Sequence, residues 1–138
     1  MCYNAHWVIK MKFNSLIPEL SVSNIEKSKE FYLAIGFSIV YEREESKFCF
    51  LQLEGNQIMI EESNDNWNVG ELEHPYGRGI NISMSISDID LYYAKVLDTK
   101  YPIFLELETH SYRVDDTMYE DKEFLIQDPD GYLLRFNN

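Results

Sequence analysis

The chain has 138 residues, with 12 Lys and Arg against 24 Asp and Glu, and so a net charge of −12. That length suits a single domain whose core needs no disulfide support. The acidic balance disfavours nucleic acid and anionic membrane as partners, because both require a cationic surface. No apolar run reaches the length of a membrane-spanning helix.

Residues 1–14 read as an N-terminal extension, poorly ordered unless something holds it. Its first twelve residues lack the apolar stretch of a signal peptide, and Met11 is an alternative start to Met1. A single domain is expected over residues 15–138. Residues 16–22 alternate loosely and predict a strand, with Pro18 at its start or on a sheet edge. Ser23-Asn24-Ile25-Glu26 reads as a capping box that opens a helix at Ser23. Ile25, Ser28, Phe31 and Tyr32 then share one helical face, and Gly36 ends the helix. Strands follow at Ser38–Arg43, Lys47–Glu54 and Gln57–Glu62, joined by short polar turns that suit an antiparallel meander. Cys49 lies inside the second of these and reads as a small buried hydrophobe. Together with the near-terminal Cys2 it makes no disulfide framework, which points to a reducing, cytoplasmic compartment.

Residues 63–79 have no apolar period and read as a linker. The pattern then repeats. Asn81–Ile86 alternates as a strand, and Ser87-Asp88-Ile89-Asp90 copies the helix start. Ile89, Tyr93, Val96 and Leu97 supply an apolar stripe. Strands are expected at Ile103–Glu108, Lys122–Gln127 and Tyr132–Asn137. Setting Val22 on Ile86 also sets Ser23 on Ser87 and Ile25 on Ile89, a constant offset of 64 residues. The chain is thus an internal duplication of a strand–helix–three-strand unit, over about 15–62 and 80–137. The fold class is α+β: two βαβββ units, each with a helix on one face of its sheet, the opposite faces curving around a cleft. Alternation puts Glu19, Ser21, Gln57, Met59 and Glu61 on the cleft face of the first unit. Asn81, Ser83, Ser85, Leu133, Arg135 and Asn137 take the same face of the second.

Three segments carry a resemblance: Ile17-Pro18-Glu19-Leu20-Ser21-Val22, the Phe31-Tyr32…Gly36-Phe37 stretch, and Asp128-Pro129-Asp130-Gly131-Tyr132-Leu133-Leu134-Arg135-Phe136. Their order and spacing resemble the vicinal oxygen chelate superfamily of glyoxalases, extradiol dioxygenases and bleomycin resistance proteins. The resemblance spans about residues 15–137 and implies the two-unit fold already read from the duplication. It also implies four metal-ligand positions, which fall at Ile17, Glu61, Asn81 and Arg135. Only Glu61 has the usual ligand chemistry, since isoleucine has no donor and arginine is a permanent cation. The three histidines, His6, His74 and His110, fall in segments read as loop or terminus. The departure from the ligand set resembles the bleomycin resistance branch, whose members bind the drug unchanged in clefts between two subunits. No metal and no cofactor is therefore expected, and a homodimer is.

The candidate ligand-binding residues are Phe48, Phe50, Met59, Glu61, Trp67, Asn81, Tyr119 and Arg135. Glu61 can attract a cation or stand as a solvated strand-end carboxylate. Arg135 can hold the units together by pairing with Glu61 or Glu19, or bind a ligand carboxylate. Trp67 sits where residues 61–74 hold five acids and no Lys or Arg. It can stack a planar cation or anchor the linker on the core. The stretch Tyr112–Glu123, with Tyr119, reads as a flap over the cleft or a solvated hairpin tip. Asp128-Pro129-Asp130-Gly131 reads as turn chemistry with Gly131 at positive φ. No nucleophile elbow, phosphate loop or HExxH is present. The function expected is non-catalytic binding of a small cationic or aromatic molecule. The alternative is a metal-dependent glyoxalase-like lyase or dioxygenase with altered ligands.

Overall fold

The computed structural model describes residues 12–138. Two four-stranded sheets of identical topology carry the duplication. The first holds β1 (Glu19–Val22), β2 (Ser38–Arg43), β3 (Phe48–Leu53) and β4 (Asn56–Glu62), ordered β1-β4-β3-β2. The second holds β5 (Asn81–Ser85), β6 (Ile103–Val114), β7 (Thr117–Gln127) and β8 (Leu133–Asn137), ordered β5-β8-β7-β6. Helices α1 (Ile25–Ala34) and α2 (Ile89–Asp98) follow the first strand of each unit and keep the 64-residue offset at both ends. β1 pairs parallel with β4, and β5 with β8, while the other pairs are antiparallel. No helix among the described residues is long and apolar enough to cross a membrane.

The helix starts differ by one residue from the capping box expected at Ser23. Asn24 is the N-cap of α1, its side chain accepting from the Lys27 amide at 3.1 Å. Asp88 does the same for α2 through the Leu91 amide. Ser23 is withdrawn from capping because it reaches the other unit. Its amide donates to Asp130 Oδ2 at 3.0 Å and its hydroxyl to Asp130 Oδ1. Ser87 is used in the same way, its amide donating to Glu54 Oε1 at 3.0 Å. Both acceptors precede the glycine of the turn leading into their unit's last strand, so each unit's turn holds the other unit's helix entry. Replacing Asn24 or Asp88 by Ala is expected to cost about 1 kcal/mol each. Thermal melts of the two single variants check this, and an unchanged midpoint for both would count against these caps.

The inner faces of both sheets and both helices share one core, running from Val22, Phe31 and Ile60 to Val96, Phe124 and Phe136. On α1 the expected face Ile25, Ser28, Phe31 and Tyr32 is buried throughout. On α2 the buried set is Ile89, Tyr92 and Val96, while Tyr93 of the expected stripe is partly buried against Phe124 and Leu97 falls outside it. Tyr92 takes the inner position because its hydroxyl donates to the Ile35 carbonyl at the end of α1, at 2.7 Å. Leu97 stays exposed. Tyr32 makes the corresponding link from α1, donating to Asp128 Oδ2 at 2.7 Å.

Three other expectations change. The first strand is shorter than 16–22 and begins after Pro18, which lacks a donor for the ladder. The stretch Tyr112–Glu123 is a solvated hairpin tip, and a regular one: it runs from the end of β6 through the Asp115–Asp116 turn into β7, and the two strands pair in register from Glu108–Glu123 to Val114–Thr117. His110, placed in a loop by the sequence reading, is therefore a strand residue of β6. The expected disorder of residues 1–14 lies for its first eleven residues outside the described ones. Residues 12–14 are bound to the first sheet: the Asn14 amide donates to Gln57 Oε1 at 2.7 Å, and Gln57 Nε2 donates to the Lys12 carbonyl.

The linker 63–79 contains no helix or strand and is fastened to the second unit. The Tyr76 amide donates to the Asp130 carbonyl at 2.7 Å, and Gly131, at φ +97°, lies directly against Pro75. Gly77 lies against the Tyr132 ring, and the Tyr132 hydroxyl donates to the Ser21 carbonyl of β1 at 2.8 Å. The linker is thus seated between the last turn of the second unit and the first strand of the first.

Candidate functional site

Strand register fixes what the outer face of the first sheet presents. One row runs Glu19, Met59, Phe50, Tyr41 across the four strands, and the next Ser21, Glu61, Phe48, Arg43. Phe48 and Phe50 take the outer face, as alternation allowed, yet they are only 4% and 1% exposed. Phe13 covers Phe50 edge-on at 5.4 Å between ring centres, and Tyr41 stacks on it from the neighbouring strand. The Arg43 guanidinium lies 4.5 Å from the Phe48 ring centre. The two phenylalanines are therefore the floor of this face, and Tyr41, Arg43 and Phe13 its surface.

Along the β1 side the face meets the linker. Ser21 donates to Asn68 Oδ1, and Asn64 Nδ2 donates to Glu61 Oε1 at 3.0 Å. These bonds hold the linker as one wall of a groove of about 680 Å³. Glu19 lies on the strand side, Trp67, Val69, Glu71 and Leu72 on the linker side, and Tyr132 closes one end. No Lys or Arg lines it. Trp67 is 82% exposed, so it does not anchor the linker on the core; the bonds of Asn64 and Asn68 do that instead. Partial burial raises the Glu19 carboxyl above its usual pKa, the nearby Glu61 adds to this, and Arg43 opposes it. A neighbouring groove of about 460 Å³ separates the facing edges of β1 and β5, lined among others by Leu16, Glu19, Ile80, Asn81 and Ser83. Glu19 is common to both grooves.

The structure thus brings some candidate residues together and not others. Met59 and Glu61 share the first outer face, Trp67 borders it, and Asn81 lines the adjoining groove. Arg135 lies on the outer face of the second sheet, and its Nε donates to Glu123 Oε2 on β7. Its partner is therefore neither Glu61 nor Glu19. A carboxylate on the adjacent strand, directly within reach, takes the guanidinium. The His110 Nε2 atom lies 3.3 Å from Glu123 Oε1 and 3.1 Å from Glu108 Oε2. Tyr119 stacks on Tyr112 far along the β6–β7 hairpin. Glu71, Leu72 and Tyr132 were missed as groove residues. The acids of 61–74 were a signal for Glu71, but no local pattern shows that the linker folds back on β1.

The four inherited metal positions fail a test of fit. Ile17 has no donor, Arg135 is a fixed cation already held by Glu123, and Asn81 and Glu61 alone supply oxygen. One carboxylate and one amide with a guanidinium do not make a divalent-cation site. Among the described residues no group of three or more His, Cys, Asp or Glu is arranged to hold a metal ion.

Comparison with known proteins places this geometry. The model of the Glyoxalase/Bleomycin resistance protein/Dioxygenase superfamily matches residues 12–136. Among curated proteins none matches the chain. A glyoxalase/bleomycin resistance protein/dioxygenase from Alicyclobacillus acidocaldarius shares the fold at a TM-score of 0.64 and 18% identity, over 90% of this chain and 89% of that one. A bleomycin-binding protein crystallised with bleomycin gives 0.64 and 17%, over 91% and 98%. A bleomycin resistance determinant encoded on the transposon Tn5 gives 0.65 and 16%, over 91% and 98%.

Proposed function

We propose that this chain, which belongs to the glyoxalase/bleomycin resistance protein/dioxygenase superfamily, sequesters a cationic, partly aromatic small molecule without changing it chemically. The observation that carries the reading is the groove beside β1. Glu19 and Glu71 give it negative charge with no base among its lining residues, and Trp67 offers an open indole face. An aromatic face beside carboxylates attracts a planar cation by stacking, by the ring quadrupole and by charge together. The acidic balance of the whole chain adds steering that salt weakens. The misfit of the inherited metal positions supports the non-catalytic part. The binding unit in this reading is a homodimer. The compartment is cytoplasmic, in keeping with the free, buried Cys49 thiol.

The test is a fluorescence titration. Trp7→Phe leaves Trp67 as the sole tryptophan. The probes are bleomycin, the ligand of one structural neighbour, and ethidium, a simple planar cation. Saturable quenching in the micromolar range is expected, weakened by raised salt. Replacing Trp67 by Ala, followed calorimetrically, should weaken binding by about tenfold, and Glu19→Gln should weaken it while leaving the thermal midpoint in place. Binding indifferent to both substitutions overturns the groove. A stoichiometric metal ion in the purified protein, lost on Glu61→Ala, overturns the non-catalytic part.

A further inference from the structure

The groove of about 460 Å³ lies between two free strand edges. β1 ends the order of the first sheet and β5 that of the second, so each has one neighbour. The ladders show which main-chain groups that leaves over. The Met59 amide donates to the Pro18 carbonyl at 2.9 Å, and the Ser63 amide to the Val22 carbonyl at 2.9 Å. The Ile86 amide donates to the Asn137 carbonyl at 2.7 Å. Even-numbered residues of β1 and β5 therefore bond their own sheets. The odd-numbered ones turn their N–H and C=O groups to the open edge.

Two of those open carbonyls are taken, one towards each end of the groove. The Tyr132 hydroxyl donates to the Ser21 carbonyl at 2.8 Å, and Asn56 Nδ2 donates to the Ser85 carbonyl at 2.9 Å. Ser21 and Ser85 keep the 64-residue offset, and Tyr132 and Asn56 each follow the glycine of their unit's last turn. Tyr132 is level with the start of β5, whereas Ser85 is its end, so β1 and β5 run antiparallel across the groove. Between the two ties, the N–H and C=O groups of Glu19, Asn81 and Ser83 have no partner among the described residues.

The side chains agree with the main chain. Leu20 and Met84 are buried at the groove, and Leu16 and Ile80, at equivalent positions of the two units, are exposed beside it. The Glu19 carboxylate is the one charge among the lining residues, with no Lys or Arg to offset it. At strand spacings the volume holds about three extended residues. A main chain with donors and acceptors on both of its edges is what two facing free edges can pair with.

We propose that the β1–β5 groove takes a short extended segment of a partner polypeptide as an added strand, pairing with Glu19 on one side and with Asn81 and Ser83 on the other. Alternation sets the character of that segment: apolar side chains turn towards Leu20 and Met84, and a Lys or Arg between them turns towards Glu19. This site goes beyond the small-molecule reading and does not depend on it.

The probe is the capped peptide acetyl-Thr-Lys-Val-Lys-Val-Lys-Thr-amide, titrated into the isotope-labelled full chain and followed by its amide resonances. Saturable shifts are expected at Glu19, Asn81 and Ser83, with slowed hydrogen exchange at the same amides. The same peptide N-methylated at its three central residues should bind about tenfold more weakly, as should the peptide with Glu in place of Lys. Ser83→Pro removes an edge N–H that β5 does not use within its own sheet, and should also weaken binding about tenfold. Ser83→Ala loses only the hydroxyl that accepts from Asn137 and should bind as the wild type does. If Ser83→Pro fails to fold, the N-methylated peptide on the wild type decides. Equal binding of the N-methylated peptide, or none of the parent at millimolar concentration, overturns the added strand. Protection of the three amides in the free chain also overturns it, because residues 1–11 or a second copy then fill the groove. Ethidium is titrated separately, so failure of the small-molecule reading is told from failure of this one.

Discussion

Replacing Gly131 by Ala should lower stability by about 3 kcal/mol, the largest effect expected among the chain's glycines. A Cβ at residue 131 would lie 2.4 Å from Pro75 Cβ and 2.6 Å from Pro75 Cα, with the Tyr76 amide nitrogen at 3.2 Å. Two of the three nearest atoms are backbone, so no flexible side chain can swing clear. The residue also sits at φ +97°, where an L side chain is strained whatever the space. Gly79 separates the two costs. It has φ +86° with nothing within 4 Å of its own Cβ position, so Gly79→Ala carries the backbone cost alone, about 1 kcal/mol. Thermal melts should show the Gly131 variant falling by about 10 °C and the Gly79 variant by a third of that. Equal shifts would mean that the contact with Pro75 is not there. Because that contact seats the linker whose other end carries Trp67, Gly131→Ala should also weaken binding of a cationic probe in the groove.

The second large effect is a pH dependence centred on Asp128. This carboxyl is buried between the units and is pushed up to about 6, chiefly by desolvation, with Asp130 adding to it. Hydrogen bonds from the Tyr32 hydroxyl and from the amides of Asp130 and Tyr132 oppose the rise without cancelling it. A carboxyl raised on folding binds its proton in the native state over a range where the unfolded chain has lost it. Its contribution to stability is therefore greatest below about pH 4. It declines as pH rises towards 6 and is flat above that. The shift from 3.8 to about 6 corresponds to roughly 3 kcal/mol across the window. Asp128→Asn keeps the acceptor for the two amides and cannot ionise. The stability difference between wild type and Asp128→Asn, from urea titrations at pH 4, 5, 6 and 7, should move in favour of the variant as pH rises. A difference that is constant, or moves the other way, would falsify the assignment. Tyr32→Phe gives an independent check, since it removes a donor that favours the carboxylate and should raise the titration midpoint further.

Much of the fold was legible because it is written in local periodicity. The 64-residue offset, the two helices and the meander strands each need only a few neighbouring residues to be read. Alternation also placed Glu19, Met59 and Glu61 on the outer face, and put Phe48 and Phe50 together on one face without fixing which. Errors arose where a residue's partner lies far along the chain. Ser23 has the side chain of a cap and serves instead as a tie to Asp130, 107 residues away. Tyr92 and Tyr93 are equally apolar in sequence and both reach the core, but Tyr92 is the one fully inside, its ring on Phe136 and its hydroxyl on the Ile35 carbonyl at the end of the other helix. The Tyr112–Glu123 stretch is too polar to show a buried strand, because its ribbon has no core on either face and its pairing comes wholly from β6 against β7.

The candidate site divides along the same line. Family, duplication and the acidity of residues 61–74 belong to the sequence itself, because composition and spacing survive without coordinates. That Glu19, Glu71 and Trp67 border one groove was decided only when the linker folded back on the first strand. The means were Tyr76 on Asp130, Gly131 under Pro75 and Tyr132 on Ser21, three contacts whose partners lie 54 to 111 residues apart. The choice of Glu123 over Glu61 or Glu19 for Arg135 has the same origin. A guanidinium takes the carboxylate on the adjacent strand, and strand neighbours are set by sheet order, which no local pattern of side chains encodes.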